Sequence, residues 1–372
     1  MKSLKIKLPV GQAFFQAVLW LLVFCVAIEA FARTSAGRNF FQYESYGSSH
    51  PHFDPQVIRI KAREVQDGQI DCIILGDSQV LYGIDPTIVE QAYFDSTGNT
   101  IHCQNFGLGG LKPITAYPLA KLLIKNFHPA VIVFGTDLFD YTAVQAGSDA
   151  SIMSSPWVKY QLDDFSADGW LIENSNSYRS YLGADRYLLN GEENANHIEV
   201  NGHSLKFSEK TNMSQQEQVD YFDSLLDRPE ITGEQLDGLH ELLALNSAET
   251  KIVLFETPVD PIFFTLQKFA YNRKVYPDFR NMLENEAAYV NTDLWLTQET
   301  IQIPTDGWYD IVHFNKVGSE YFSRLLGEHL SGITFRVTGV VWCGVGGGGG
   351  GGAPPRSENL YDCPRDPSLR SG

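Results

Sequence analysis

The sequence predicts an α/β protein built on a parallel sheet that helices cover on both faces. Short apolar runs of strand length alternate with stretches of helical period between residues 70 and 330. The first three runs end in glycine-containing turns that carry polar residues. Such turns lie beyond the carboxyl ends of the strands, where open α/β sheets bind their ligands. Ahead of the domain stands one apolar stretch of membrane-spanning length.

The chain has 372 residues, 43% of them hydrophobic and 12% aromatic, enough for one large α/β domain with an insertion or for two domains. Its net charge of -17 argues against a nucleic-acid partner, because phosphate binding needs a basic face. The five cysteines are an odd number without zinc spacing. Cys72 and Cys103 stand near strand ends and read as buried thiols that can face each other across neighbouring strands.

Lys2, Lys5 and Lys7 precede an apolar stretch, about residues 13–32, in which Gln16 is the only polar residue before Glu29. Positive charge on the short leading segment keeps the N-terminus in the cytoplasm and exports everything after Arg33. Residues 1–33 are thus expected to be an uncleaved anchor. The alternatives are a signal peptide cut after Ala30-Phe31-Ala32 and a buried core helix. Residues 34–69, polar with scattered aromatics, read as a linker, and residues 70–332 as the main domain.

Within that domain, residues 72–75 form the first predicted strand, running into Gly76-Asp77-Ser78. A helix is expected over residues 83–95 and a second strand over 99–105, ending at Phe106-Gly107-Leu108-Gly109-Gly110. Residues 113–127 read as a helix and 130–134 as a third strand, ending at Gly135-Thr136-Asp137. A fourth strand is expected at 251–255, a fifth within 288–296 and a last amphipathic helix at 316–330. Between the third and fourth strands lies an acidic insertion, about residues 141–250, with helices near 214–226 and 233–245; it reads as a substrate-selecting cap or a plain surface excursion. The tail, 333–372, contains seven consecutive glycines and is expected to be disordered, with Cys343 and Cys363 outside any chemistry.

Ser78 stands on a turn between a buried strand and a helix, where a hydroxyl is exposed and backbone N–H groups can face an oxyanion. It reads either as a nucleophile or, with Asp77, as a helix cap. A nucleophilic serine needs a base, and the base an orienting carboxylate. Asp310-Ile311-Val312-His313 supplies both just before the last helix: the carboxylate can reach Nδ1–H of the same imidazole, leaving Nε2 for Ser78. The plain alternative is that Asp310 and His313 only begin that helix. Tyr82 and Trp308 line the site or pack in the core, and His102 is packed or exposed rather than a ligand. The nine histidines show no His-x-x-x-His pair, and Gly107-x-Gly109-Gly110 lacks the spacing of a dinucleotide loop.

The order Gly76-Asp77-Ser78, Asn105-x-Gly107-x-x-Gly110, Gly135-x-Asp137 and Asp310-x-x-His313 resembles the four sequence blocks of the SGNH/GDSL hydrolase superfamily over about residues 70–330. The resemblance implies a flavodoxin-like three-layer α/β/α sandwich and ester chemistry without metal or other cofactor. It implies Ser78 as nucleophile, Asp310 and His313 completing the triad, and an oxyanion hole from the Ser78 and Gly110 N–H groups and the third-block position, Asp137. There the chain departs from the family, whose third block carries an asparagine donor. An ionised aspartate only accepts. Asp137 is therefore protonated, or positions another donor, or leaves a hole of backbone donors alone.

The anchor, the insertion and Gly83-Ile84-Asp85-Pro86 are similar to membrane-anchored SGNH-like proteins that transfer acyl groups onto cell-wall or secreted polysaccharides, including the alginate O-acetyltransferase-like group. This implies a small ester or an acylated polysaccharide as substrate and the membrane as partner. A non-catalytic accessory protein on the same fold is the second expectation. The sequence carries no signal for an oligomeric state.

Overall fold

A computed structural model describes residues 10–40, 43–141, 146–189, 197–207, 209–225, 231 and 233–335. Residues 339–372 lie wholly outside this set. The expectations for Lys2, Lys5 and Lys7, and for the tail from residue 336 with Cys343 and Cys363, likewise lie outside the described residues.

Helix α1 (Val10–Ala32) is followed by α2 (Ser35–Phe40) and α3 (Phe53–Asp67). Then come β1 (Cys72–Gly76), α4 (Ser78–Gly83), α5 (Pro86–Thr97), β2 (Cys103–Gly107), α6 (Pro113–Phe127) and β3 (Val131–Thr136). The excursion after β3 carries α7 (Ala146–Met153), α8 (Pro156–Gln161), α9 (Ala167–Asn174), α10 (Asn176–Gly183), α11 (Gln215–Leu225) and α12 (Gly233–Leu243). Strand β4 (Lys251–Glu256), α13 (Ala270–Val290), β5 (Asp293–Trp295) and α14 (Lys316–Ser331) complete the fold.

The five strands pair in parallel in the order β2-β1-β3-β4-β5. This is the flavodoxin-like order, whose switch point lies between β1 and β3. Strand side chains alternate between faces. Ile73, Leu75, Ile132, Phe134 and Leu254 enter one core with α3, α6, α12 and α13. Ile74, Val131, Val133, Val253 and Phe255 enter the other with α5 and α14. The three-layer α/β/α sandwich is therefore present. Cys72 and Cys103 stand opposite each other in the β1–β2 register, both buried and free.

Several boundaries depart from the sequence reading. Residues 34–69 are not merely a linker: α3 buries Phe53, Val57 and Ile60 at i, i+4 and i+7, and Tyr46 packs edge-on against Trp157. The helix expected over 83–95 is α5, which starts at Pro86 after its Asp85 cap, and a short helix not expected from the sequence, α4, precedes it, capped by Asp77 directly after β1. Strand β2 starts at Cys103 rather than Asn99, since Gly98 in the left-handed region ends α5 just before. Helix α13 runs to Val290 and is closed by Asn291 (φ 52), leaving only three residues for β5. Helix α12, read as part of the insertion, packs on α6 in the main core, so the excursion proper ends before it.

Within α1, residues Gly11–Ala32 are apolar but for a few polar side chains, exposed except toward the C-terminal end at Ile28, Glu29 and Ala32, and long enough to cross a membrane.

Candidate active site

Strand β1 is buried throughout and delivers Gly76 to the carboxyl edge of the sheet. Asp77 then starts α4, its Oδ1 accepting from the Gln79 N–H at 2.8 Å. The cap turns the next side chain outward: Ser78 Oγ lies 3.0 Å from His313 Nε2. A Cβ at Gly107 would meet the Leu81 backbone nitrogen at 2.4 Å, so only glycine lets α4 rest on the end of β2. Asn105 fastens the two together. Its Nδ2 donates to the Val80 and Ile84 carbonyls at 2.7 and 2.8 Å, and its Oδ1 accepts from Gly107 N–H.

The imidazole comes from the loop before α14. Asp310 Oδ1 accepts from the Val312 and His313 N–H groups at 2.8 and 2.7 Å, which folds the loop into a tight turn. Asp310 Oδ2 then lies 3.0 Å from His313 Nδ1. Burial raises the Asp310 pKa, but the His313 charge and these donors outweigh it, so the carboxyl sits below its usual range. Neither residue caps α14; Asn315 does, accepting from Val317 and Gly318 N–H. The structure thus brings Ser78 together with the neighbouring pair Asp310 and His313, from which it is far removed in sequence.

Asp137 follows β3 and is buried. Its Oδ1 accepts from Phe139 N–H at 2.7 Å and Asp140 N–H at 3.2 Å, and its Oδ2 accepts from Gln79 Nε2 at 2.7 Å. Burial, then the Asp77 carboxyl, push Asp137 well above the usual carboxylate range. Asp140 is raised by burial, then by Asp137 and Asp77. Three carboxyls thus crowd the floor beneath α4. Gly110 has φ 73, in the turn after β2. Its N–H donates to no group among the described residues. His50 Nε2 and the Gly109 carbonyl meet at 3.0 Å beside that turn. His52 closes the same side, its pKa held down at about 3 by burial above all.

Sequence reasoning missed Gln79 and the aromatic cover. Gln79 is the one polar side chain between Ser78 and the run Val80-Leu81-Tyr82, and its burial follows only from the fold. Residues 197–207 form a strap across the edge of the sheet. Asn105 N–H donates to the Asn201 carbonyl at 2.9 Å, Ser204 N–H to the Leu81 carbonyl at 3.0 Å, and Gln56 Nε2 to the Gly202 carbonyl at 2.9 Å. The strap delivers Phe207, whose ring centroid is 4.9 Å from that of His313, 4.1 Å from Tyr82 and 4.2 Å from Tyr309. Phe222 of α11 lies 6.2 Å from the imidazole. Tyr82 therefore lines the site, whereas Trp308 packs on Phe314 in the core. His102 is partly exposed, 3.9 Å from Asp67. No cluster of three metal-binding side chains occurs among the described residues.

The four sequence blocks lie along the carboxyl edge of the β2-β1-β3-β4-β5 sheet, a layout that resembles the SGNH/GDSL hydrolase superfamily. No family model matches the chain, and no curated protein matches it in sequence. Among solved structures it is similar to Est24, a carbohydrate acetylesterase from Sinorhizobium meliloti, at 10% identity over 71% of this chain and 97% of that one, TM-score 0.35. It is similar to an inhibitor-bound aryl esterase of M. smegmatis at 11% identity, over 70% and 97% of the two chains, TM-score 0.35. A lipase/acylhydrolase from Enterococcus faecalis matches at 14% identity, over 71% and 96%, TM-score 0.33. At such scores the overlap carries no weight for function, which rests on this chain's own side chains.

Proposed function

We propose that the protein is a serine esterase or O-acyltransferase of the SGNH/GDSL type, with Ser78 as nucleophile, His313 as base and then acid, and Asp310 as the orienting carboxylate. One observation carries the reading: Ser78 Oγ, His313 Nε2 and Nδ1, and Asp310 Oδ2 form a continuous line of 3.0 Å contacts. Ser78 Oγ adds to the acyl carbonyl carbon as its proton passes to His313 Nε2. The tetrahedral oxyanion faces the N–H groups of Ser78 and Gly110. Its collapse expels the alcohol, which takes the proton from His313. Water or a sugar hydroxyl, deprotonated by the same imidazole, then releases the acyl group from Ser78.

The substrate we favour is an ester borne by an envelope or secreted polysaccharide: α1 is long and apolar enough to cross a membrane, and a basic leader on such a span would put the α/β domain outside the cytoplasm. Ser78→Ala should abolish both labelling by a serine-directed organophosphonate and turnover of p-nitrophenyl acetate. Labelling that persists in this variant removes Ser78 from the role.

A second reading is a non-catalytic saccharide-binding accessory protein. The rings of Phe207 and Phe222 against the imidazole favour it, as does the carboxyl where the family has an amide. Saccharide binding without labelling or turnover in the parent protein is its signature.

A further inference from the structure

Glu29 lies inside the apolar span yet is fully engaged. Its Oε1 accepts from Arg33 Nε at 2.7 Å and Asn176 N–H at 3.1 Å. Its Oε2 accepts from the hydroxyls of Ser175 and Ser177 at 2.7 and 2.8 Å and from Ser177 N–H at 3.1 Å. Arg33 in turn donates to the Asn174 carbonyl, closing the C-terminal end of α9, at 2.8 Å. The carboxylate thus sits at the N-terminus of α10, where the helix dipole favours it, and ties α1 to the α/β domain. A charge in an apolar span is costly unless it is paired, so these partners must sit at its depth.

That sets the height of the domain. At about 1.5 Å per residue, the 22 residues of Gly11–Ala32 span roughly 33 Å, close to the hydrocarbon thickness of a bilayer. Glu29 is in its last turn, so the start of α10 stands at the bilayer boundary. Between α1 and α10 runs a largely apolar groove of about 710 Å³, lined by Val26, Ile28, Leu171, Tyr178 and Tyr181 among others. Tyr181 is 63% exposed beside it, and Phe31 and Phe40 stay exposed around the end of α1. Tyrosine at this level suits the headgroup layer, with an apolar ring and a polar tip.

We propose that the α10 face of the domain rests in the interfacial layer of the bilayer that α1 spans, and that phospholipid fills the groove between α1 and α10. The occupant follows from position: the groove opens on the exposed wall of the spanning helix, where lipid is the surrounding medium. Glu29 is the clamp that holds this posture, making α1 a docked part of the fold rather than a loose tether. The proposal rests on α1 spanning the membrane, not on the ester chemistry.

The test uses the full chain in phosphatidylcholine–phosphatidylglycerol vesicles, with Cys25, Cys343 and Cys363 replaced by serine. Retention in the membrane fraction after an alkaline wash is scored first; release of the chain overturns the premise and the proposal with it. An NBD fluorophore is then attached through Tyr181→Cys or, as the distant comparison, through Tyr289→Cys on α13. Headgroup-proximal doxyl lipid is expected to quench the first at least twofold more than the second. Equal quenching, or none at Tyr181→Cys, overturns the docked posture. Adding Glu29→Ala should bring quenching at Tyr181→Cys down to that of the comparison while the chain stays in the membrane. Unchanged quenching removes Glu29 as the clamp.

Discussion

Replacing Asp137 by asparagine trades a buried acid for a neutral amide of the same shape. Oδ1 keeps its two donors, Phe139 N–H and Asp140 N–H. Nδ2 takes the place of Oδ2 and no longer accepts from Gln79 Nε2. Gln79 has a remedy: its own Oε1 is buried and unpartnered, so the amide turns over and accepts from the new Nδ2. One hydrogen bond is exchanged for another, and the unpartnered position passes from Oε1 to Nε2. The acid adds a pH-dependent part. Burial, then Asp77, raise the folded-state pKa of Asp137 above its unfolded value. A carboxyl raised in this way contributes stability below the unfolded pKa of about 3.9 and loses it as pH rises through the folded value. The variant should therefore be more stable at pH 7.5, with a gain of about 2–4 °C in Tm per kcal/mol, and the gain should shrink at pH 3.5. Thermal unfolding followed by circular dichroism in detergent reads both. Turnover at pH 7.5 should rise, because an amide at this position cannot ionise beneath the proposed oxyanion site. A variant less stable than the parent at pH 7.5, or a gain that grows on acidification, refutes the reasoning.

Asp310→Asn should lower kcat on the order of 10³–10⁴-fold with the fold intact, because the amide holds the wrong imidazole tautomer; parent-like kcat breaks the assignment. Since the Asp310 pKa is lowered in the folded state, its contribution to stability is present above the unfolded value and is lost as pH falls through the folded one. The same variant should therefore flatten the acid limb of a Tm–pH curve. Gly202→Ala should loosen the strap: φ is 85 and a Cβ would lie 1.8 Å from the Asn105 carbonyl oxygen, so a loss of more than about 2 kcal/mol is expected in denaturation. Phe207→Ala should uncover the imidazole and lower KM for bulky esters more than for p-nitrophenyl acetate; equal effects on both leave Phe207 a structural ring only.

The parts of the fold legible in the sequence were those fixed by local pattern. Strand β1 is a continuous apolar run because both of its faces are covered, and α6 matches its reading because proline opens it and a left-handed His128 ends it. The Ser78, Asp310 and His313 positions were legible because each sits in a tight turn with its own composition. What was missed depends on pairing at long range. Strand β2 begins where its ladder with β1 begins, at Cys72 opposite Cys103, which propensity does not encode. Helix α3 looked like linker because its polar residues outnumber the stripe at 53, 57 and 60. Phe207 reads as one aromatic in an acidic stretch; only Asn201, Gly202 and Ser204, docking on β2 and α4, carry it onto His313.

The cap at Gly76-Asp77-Ser78 and the proposed nucleophile belong to one turn. Asp77 is a helix cap, and it accepts from Gln79 N–H as a cap should. Because the cap fixes the first turn of α4, Ser78 points at His313 while Gln79 is driven inward onto Asp137. The same turn therefore sets the serine and the charge state of the floor beneath it. A weaker cap at position 77 is then expected to disturb both together. Asp77→Ser keeps a capping hydroxyl but removes one of the three crowded carboxyls, so it should ease the proton demand on Asp137 while holding Ser78 in place. Asp77→Ala, which has no acceptor, relieves the charge and releases the turn. The contrast between the two variants separates orientation from electrostatics: loss of organophosphonate labelling in the alanine form alone assigns the effect of Asp77 to orientation.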